Sequence, residues 1–557
     1  MMKSALATLL LLLAATGSIA QSDSTAPKRP DKNTSSIEGT VVKDPGDQPL
    51  KKAIVEVIPE EEGGANYTAV SDLEGHFIIS NVQPGRYRIF AERTGFIEVD
   101  KSGHRLAGTA ISIAAGQSTH DLQLRMLSAA IVTGRVVDED GDPMANVDIS
   151  VLRYGYSSGR RELEQERSER TNDVGEFRIA GLLSGRYILS ASPSPDFSSV
   201  TPFKRSAPET DKTETGYVTT YYPGTNDVSQ AVPLELHPGD EVPVDFTLVP
   251  TRTFRVRGSV VNSGSSRSSD ALGQGVVMLH PQNFSSEVFT AAEVDQNGKF
   301  EIRGVAPGSY TMTLMRNDGE TAQVSHQELV VANSDVNGVR LVPVQGSQIR
   351  GQLRIENAPR LDLTTLVVLL RPANGSSNPV VGSEQGRLKP DGSFELNNVS
   401  PGRYTVSVSG GTRAMRDYFL KKVIAGGRDV SDSDVIVPGS TTVSMSLILS
   451  PAAASLEGSV VDDQNQPVAN VTVVAVPDAT HQDQIDRYQR SLADQHGHFL
   501  LRGLTPGRYT VFAWPHIEEG AYYDPDFLKE YEPSGEKVQL GEGARRTVML
   551  KVLPSPN

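Results

Sequence analysis

Phenylalanine and tyrosine recur ten residues apart at five places in this 557-residue chain: Phe77 and Tyr87, Phe177 and Tyr187, Phe300 and Tyr310, Phe394 and Tyr404, Phe499 and Tyr509. Each phenylalanine follows a tight Asp/Asn–Gly turn: Asp72 to Gly75, Asn172 to Gly175, Asp295 to Gly298, Asp391-Gly392 and Asp494 to Gly497. Each tyrosine closes a second turn, such as Pro84-Gly85-Arg86-Tyr87 or Pro506-Gly507-Arg508-Tyr509. A fixed spacing repeated five times marks one supersecondary unit used five times over. The side-chain oxygen of Asp or Asn bonds its own turn, and glycine accepts positive φ. The residues after each turn alternate apolar and polar, as in Phe300-Glu-Ile302-Arg, which is the period of a half-buried strand. Phenylalanine and tyrosine are then core anchors, and the tyrosine hydroxyl is expected to bond a nearby backbone group, as in a tyrosine corner.

Each unit opens on glycine and a short apolar run: Gly39-Thr-Val-Val, Gly134-Arg-Val-Val, Gly258-Ser-Val-Val, Gly351-Gln-Leu-Arg, Gly458-Ser-Val-Val. Each closes on another strand, such as Val443-Ser-Met-Ser-Leu447 or Val548-Met-Leu-Lys-Val552. Roughly seven short strands per unit, separated by Gly, Pro, Asn and Asp turns, make a β-sandwich of about 100 residues. The fold class expected is all-β, five tandem seven-stranded sandwiches at 37–128, 129–252, 253–345, 346–451 and 452–557. The joints are short, which implies an elongated, semi-rigid rod. Two charged excursions, Arg160 to Arg170 and His481 to Arg490, are compatible with solvated loops or short surface helices.

Composition says where such a chain works. Lys3 followed by the apolar run Ala5–Ala15 and by Ser18-Ile19-Ala20 has the form of a cleaved export signal over residues 1–20. That run is too short to span a bilayer, which takes about twenty residues. A polar, proline- and serine-bearing lead follows at 21–36. The mature chain is expected to be periplasmic, cell-surface or secreted, without membrane insertion after cleavage. The chain has no cysteine, so each unit is held by its apolar core and not by disulfides. With 53 basic and 68 acidic residues the net charge is 53 − 68 = −15, which opposes binding to nucleic acid.

The stretch from Gly134 through Asp138, Gly141, Pro143 and Asn146 to Val147 resembles the opening of carboxypeptidase regulatory-like domains. The Asp-x-x-Gly-x-Phe and Pro-Gly-x-Tyr elements fit the same family. The resemblance covers nearly all of the chain after residue 36 and is clearest in units one, two and five. It implies a transthyretin-like or starch-binding-like sandwich of the kind found in tandem on exported bacterial proteins. The family name carries no implication of peptidase activity.

His516-Ile-Glu-Glu519 has the spacing that begins a metallocarboxypeptidase zinc site, but no histidine follows His516 to complete one. His496 and His498 flank a turn glycine where other units carry Glu176, Lys299 or Ser393, so His498 reads as a solvent-facing turn residue. Asp138-Glu-Asp-Gly-Asp142 could attract Ca²⁺, but its counterparts at Lys43–Asp47 and Asp462–Gln466 lose much of the charge, so a hairpin turn is the simpler reading. An internal isopeptide cannot be shared by every unit, since unit five has no lysine before Lys529. No catalytic residue, metal or cofactor is assigned.

The remaining candidates are aromatic. Trp514, the only tryptophan, leads into Tyr522 and Tyr523, and unit two has a similar excursion at Tyr217, Tyr221 and Tyr222. Two arrangements fit: rings exposed as a sugar-stacking platform, with Trp514, Tyr522, Tyr523, Tyr221 and Tyr222 as ligand-binding residues, or rings folded over their own sandwiches. The functional reading is a non-catalytic exported scaffold or adhesion protein whose partners are extracytoplasmic proteins. The alternatives are a polysaccharide-binding protein and an accessory subunit of a separate enzyme.

Overall fold

The computed structural model describes residues 35–555 apart from 62–63, 101–104, 107, 158, 194–213, 262–274, 283–289, 318–321, 358–360, 374–383 and 411–412. The proposed export signal and nearly all of the lead lie outside the described residues. The regular structure described is almost all β-strand, with one short α-helix at Pro525–Tyr531 and a few single-turn 3₁₀ segments.

The repeat motif sets the topology. In unit one the opening strand Ser35–Asp44 lies between His76–Val82, antiparallel, and Ser118–Ser128, parallel. A second sheet orders Tyr67–Val70, Ile54–Pro59, Gly85–Glu92 and Thr109–Ile113. Unit five repeats both sheets: Ala454–Val461 lies between His498–Leu504 and Arg545–Lys551, over a sheet of Gln489–Leu492, Thr472–Pro477, Gly507–Trp514 and Glu536–Leu540. In units two, three and four the opening strand likewise takes an antiparallel partner on one side and a parallel one on the other. Five large hydrophobic clusters result, each drawing its side chains from one repeat unit.

The spacing of glycine, phenylalanine and tyrosine follows from this pairing. The opening glycine sits directly across the ladder from the turn phenylalanine in every unit: Gly39 from Phe77, Gly134 from Phe177, Gly258 from Phe300, Gly351 from Phe394, Gly458 from Phe499. The ring covers the bare glycine, and a β-carbon there would collide with it and, at Gly39, Gly134, Gly258 and Gly458, with a neighbouring carbonyl as well. Each repeat tyrosine donates its hydroxyl to the carbonyl four residues back: Tyr87 to Gln83 at 2.7 Å, Tyr187 to Leu183 at 3.1 Å, and Tyr310, Tyr404 and Tyr509 to Ala306, Ser400 and Thr505 at 2.8 Å. A buried hydroxyl is thereby satisfied inside the turn it closes. In four of the turns one side-chain oxygen accepts two backbone N–H groups, as Asp72 does from Glu74 and His76.

Two expectations are corrected. Arg160–Arg170 is neither loop nor helix but a strand that pairs along its length with Val147–Ser157. Arg160, Arg161, Arg167, Glu169 and Arg170 reach solvent, Glu162, Glu164 and Glu166 are half-buried, and Leu163 is buried. The units also do not run end to end as an elongated rod. Unit five returns to pack on units one and two as well as on its neighbour, unit four. Short joints limit the separation of successive units but leave their angles free, and the side-chain contacts below choose the folded-back arrangement.

Candidate binding clefts between the units

In unit five the strand Thr472–Pro477 is buried on both faces: Val473 and Ala475 enter the sandwich core, while Val474 and Val476 point outward into a second cluster. That cluster is the aromatic excursion. Phe512 and Trp514 stand on the outer face of Gly507–Trp514 with rings stacked at 5.1 Å, and Tyr531 meets Trp514 edge-on at 5.4 Å. The segment after Trp514 closes over them as a short helix whose cap is Asp524, accepting the amide of Asp526 at 2.8 Å, with Pro525 in the first turn.

The long hairpin of unit two inserts into this cluster. The Tyr156 ring packs against Phe527 at 6.2 Å. Gly159 lies so close to unit five that a β-carbon would stand 2.5 Å from the Tyr523 carbonyl oxygen. Burial, and then the nearby Asp524 carboxylate, push the Tyr156 hydroxyl pKa up.

These packings place the five candidate rings. Trp514 is 0% exposed, and Tyr522 and Tyr221 are each 4% exposed. Tyr221 packs with Leu152, Leu163 and Ile188, and burial pushes its hydroxyl pKa well up. Tyr222 is half-buried with its ring 6.3 Å from Phe246, and Tyr523 is half-buried with its ring 4.8 Å from Tyr488. Sugar stacking needs an open ring face, so Trp514, Tyr522 and Tyr221 do not form an exposed platform. The rings do fold over their own sandwich, and in unit five they also make the socket for a neighbour. His496 and His498 are exposed on their turn, and Asp138 accepts the amides of Asp140 and Asp142 within its hairpin.

A second inter-unit contact joins residues nearly 400 apart. Thr109–Ile113 is the edge strand of its sheet in unit one. The Gln495 amide accepts the Ser112 N–H at 2.9 Å and donates to the Ser112 carbonyl at 2.7 Å, in place of a strand partner. Ser112 Oγ donates to Asp494 at 2.6 Å, and Arg86 lies 3.7 Å from the same carboxylate. Asp494 therefore does two jobs, holding its own turn through one oxygen and unit one through the other. Unit four is tied in by Lys421, 3.0 Å from both Glu356 and Glu542, and by Arg371 to Asp486 at 2.7 Å.

Two clefts open where the units meet. The first, about 1100 Å³, lies between units one, two and five. Six arginines line it: Arg88, Arg105, Arg153, Arg161, Arg186 and Arg490, against the carboxylates of Asp100, Glu166, Glu518 and Glu519. Arg105 and Arg153 share Glu166 at 3.6 and 3.7 Å, and Arg490 reaches Glu519 at 3.2 Å. Arg161 lies over the Tyr154 ring at 5.7 Å. Among the described residues no carboxylate pairs with Arg186. The second cleft, about 890 Å³, lies between units two and three and is rich in hydroxyls and amides, including Ser190, Ser192, Thr219, Asn226 and Tyr310. Tyr217 lines it too, with its hydroxyl on Glu139 at 2.7 Å, a bond that pushes the Tyr217 pKa up to about 12.

Sequence reasoning missed both clefts and the Gln495–Ser112 clasp, because Asp494 looks the same as Asp72 until its surroundings are known. The one available signal was the length of the hairpin before Asn172, whose strands run eleven residues each where the matching second strand in unit one has four.

The sequence matches the carboxypeptidase regulatory-like domain family over residues 36–126 and 455–519. The two matched stretches fall within units one and five. Among solved structures it is similar to the Bacillus anthracis TIE protein, at 13% identity over 56% of this chain and 51% of that one, with a TM-score of 0.17. It spans about half the length of that protein. It is also similar to a Streptococcal ancillary pilin (11% identity, 55% of this chain and 99% of that one, TM-score 0.18) and to GBS52, the minor pilin of Streptococcus agalactiae (13%, 42% and 100%, TM-score 0.21). A search of curated proteins finds no match. Among the described residues no helix is long and apolar enough to cross a membrane.

Proposed function

We propose that the protein is a non-catalytic exported scaffold that binds other extracytoplasmic proteins in the clefts between its units. The observation that carries this reading is the return of unit five, which clasps unit one through Gln495 and receives the unit-two hairpin in its aromatic socket. Those contacts hold walls from three units in fixed relation around one cleft. Walls held before binding lower the ordering cost of association. The test is saturable retention of extracytoplasmic proteins on the immobilised chain, compared with a Gln495→Ala/Tyr156→Ala variant that loosens unit five. Retention that falls in the variant supports the reading. Equal retention by both forms, or hits confined to a polysaccharide array, overturns it.

One observation favours polysaccharide binding as a second reading: the hydroxyl-lined cleft between units two and three, with Tyr217 and Tyr310 on its walls. Neutral sugars are held by just such hydroxyl and amide groups beside aromatic faces. A glycan hit weakened by Tyr217→Ala would bring this reading forward, and a blank array would remove it.

A further inference from the structure

We infer that the cleft between units one, two and five is a binding site for an extended acidic peptide that carries aliphatic side chains. The inference rests on the protein-binding reading above and names the chemistry of its ligand.

Charge supplies the first argument. Six arginines face four lining carboxylates, and counting Glu60, which holds Arg88 at 3.3 Å, the balance is still positive, 6 − 5 = +1, in a chain of net charge −15. Such a concentration, contributed by three separate units, arises only in the assembled molecule. Several of these guanidinium groups have donors to spare: Arg105 and Arg153 divide one carboxylate at contacts longer than 3.5 Å, and Arg186 stands beside none among the described residues. Arginine is also the cation best matched to carboxylates, since its planar fork binds both oxygens at once.

The remaining walls decide between a peptide and an acidic sugar. Leu106, Leu492 and Ile517 line the cleft alongside the arginines and offer aliphatic surface. A uronic-acid polymer would use an open aromatic face, and the Tyr154 face is taken by Arg161. A peptide alternating carboxylate and aliphatic side chains meets both kinds of wall, and its two faces separate naturally in an extended chain. The volume of about 1100 Å³ accommodates a segment of several residues.

The test is fluorescence anisotropy with the purified chain and labelled ten-residue probes: alternating Glu-Leu, alternating Lys-Leu, alternating Glu-Ser, and an oligogalacturonate. The Glu-Leu probe should bind saturably and weaken as salt is raised. Arg161→Ala/Arg186→Ala should weaken it about tenfold or more, as loss of two charge-assisted contacts does. Among the described residues neither arginine holds a carboxylate, so thermal unfolding of the variant should stay close to the parent's, lowered only by loss of the Arg161 contact with the Tyr154 ring. Equal binding of Lys-Leu, stronger binding of oligogalacturonate, or unchanged affinity in the double variant would each overturn the assignment. If Glu-Leu fails to bind while protein retention persists undiminished in the double variant, the cleft assignment falls and the scaffold reading stands. If retention is absent as well, both fall.

Discussion

Removing the Gln495 amide isolates one of the contacts that hold the folded-back arrangement. Gln495 makes two hydrogen bonds to one residue of another unit, accepting the Ser112 N–H and donating to the Ser112 carbonyl. A neutral hydrogen bond contributes about 1 kcal/mol net, so Gln495→Ala should cost about 2 kcal/mol at this contact. At about 1.4 kcal/mol per tenfold, that is roughly a thirtyfold change in the population with the Ser112 amide shielded. Because Ser112 lies on an edge strand, nothing in its own sheet replaces the lost acceptor. Ladder alternation turns the amides of Ile111 and Ile113 the other way, toward Gly85–Glu92. Hydrogen exchange resolved by residue is the assay. The Ser112 amide should exchange about thirtyfold faster in Gln495→Ala, with Ile111 and Ile113 unchanged. Unchanged exchange at Ser112 would refute the clasp, and equal acceleration of all three would show that unit one itself had loosened.

Other outcomes follow from single side chains. Glu98 is 8% exposed, one oxygen accepts the Ala91 N–H and the other has no partner among the described residues, and burial pushes its pKa from the ordinary 4.5 to about 7. The folded state therefore holds this proton more tightly than the unfolded chain, so stability should fall as pH rises from about 4.5 to about 7, by on the order of 3 kcal/mol. Glu98→Gln should flatten that fall in denaturant titrations, and an unchanged slope would count against it. The sole tryptophan is fully buried, so its emission should resist acrylamide, and Trp514→Ala should cost unit five about 3–5 kcal/mol; ready quenching in the native chain would contradict the packing. A β-carbon at Gly351 would collide with the Phe394 ring, which supplies its three nearest atoms, so Gly351→Ala should destabilise by about 1–3 kcal/mol. Trimming the ring in Gly351→Ala/Phe394→Leu should recover part of that loss in thermal melts, and a purely additive double variant would argue against the contact.

Within each unit, most of the structure was legible in residue order. The turn, the covered glycine and the tyrosine hydroxyl involve residues whose spacing repeats five times, and period-two alternation assigns Phe499, Leu501, Tyr509 and Val511 to one core. The charged strand Arg160–Arg170 was harder, because alternating arginine and glutamate suit an exposed strand edge as well as a surface helix. The aromatic excursion was harder still. Composition alone leaves open whether Trp514 faces solvent or neighbour, and only the strand buried on both faces shows that it lies inside. The clasp between Ser112 and Gln495 spans 383 residues. By itself the sequence determined the repeated sandwich, whose contacts are set by spacing within one unit. The tertiary structure decided the clefts, because they are walled by surfaces of different units, and no periodicity along the chain records which surfaces meet.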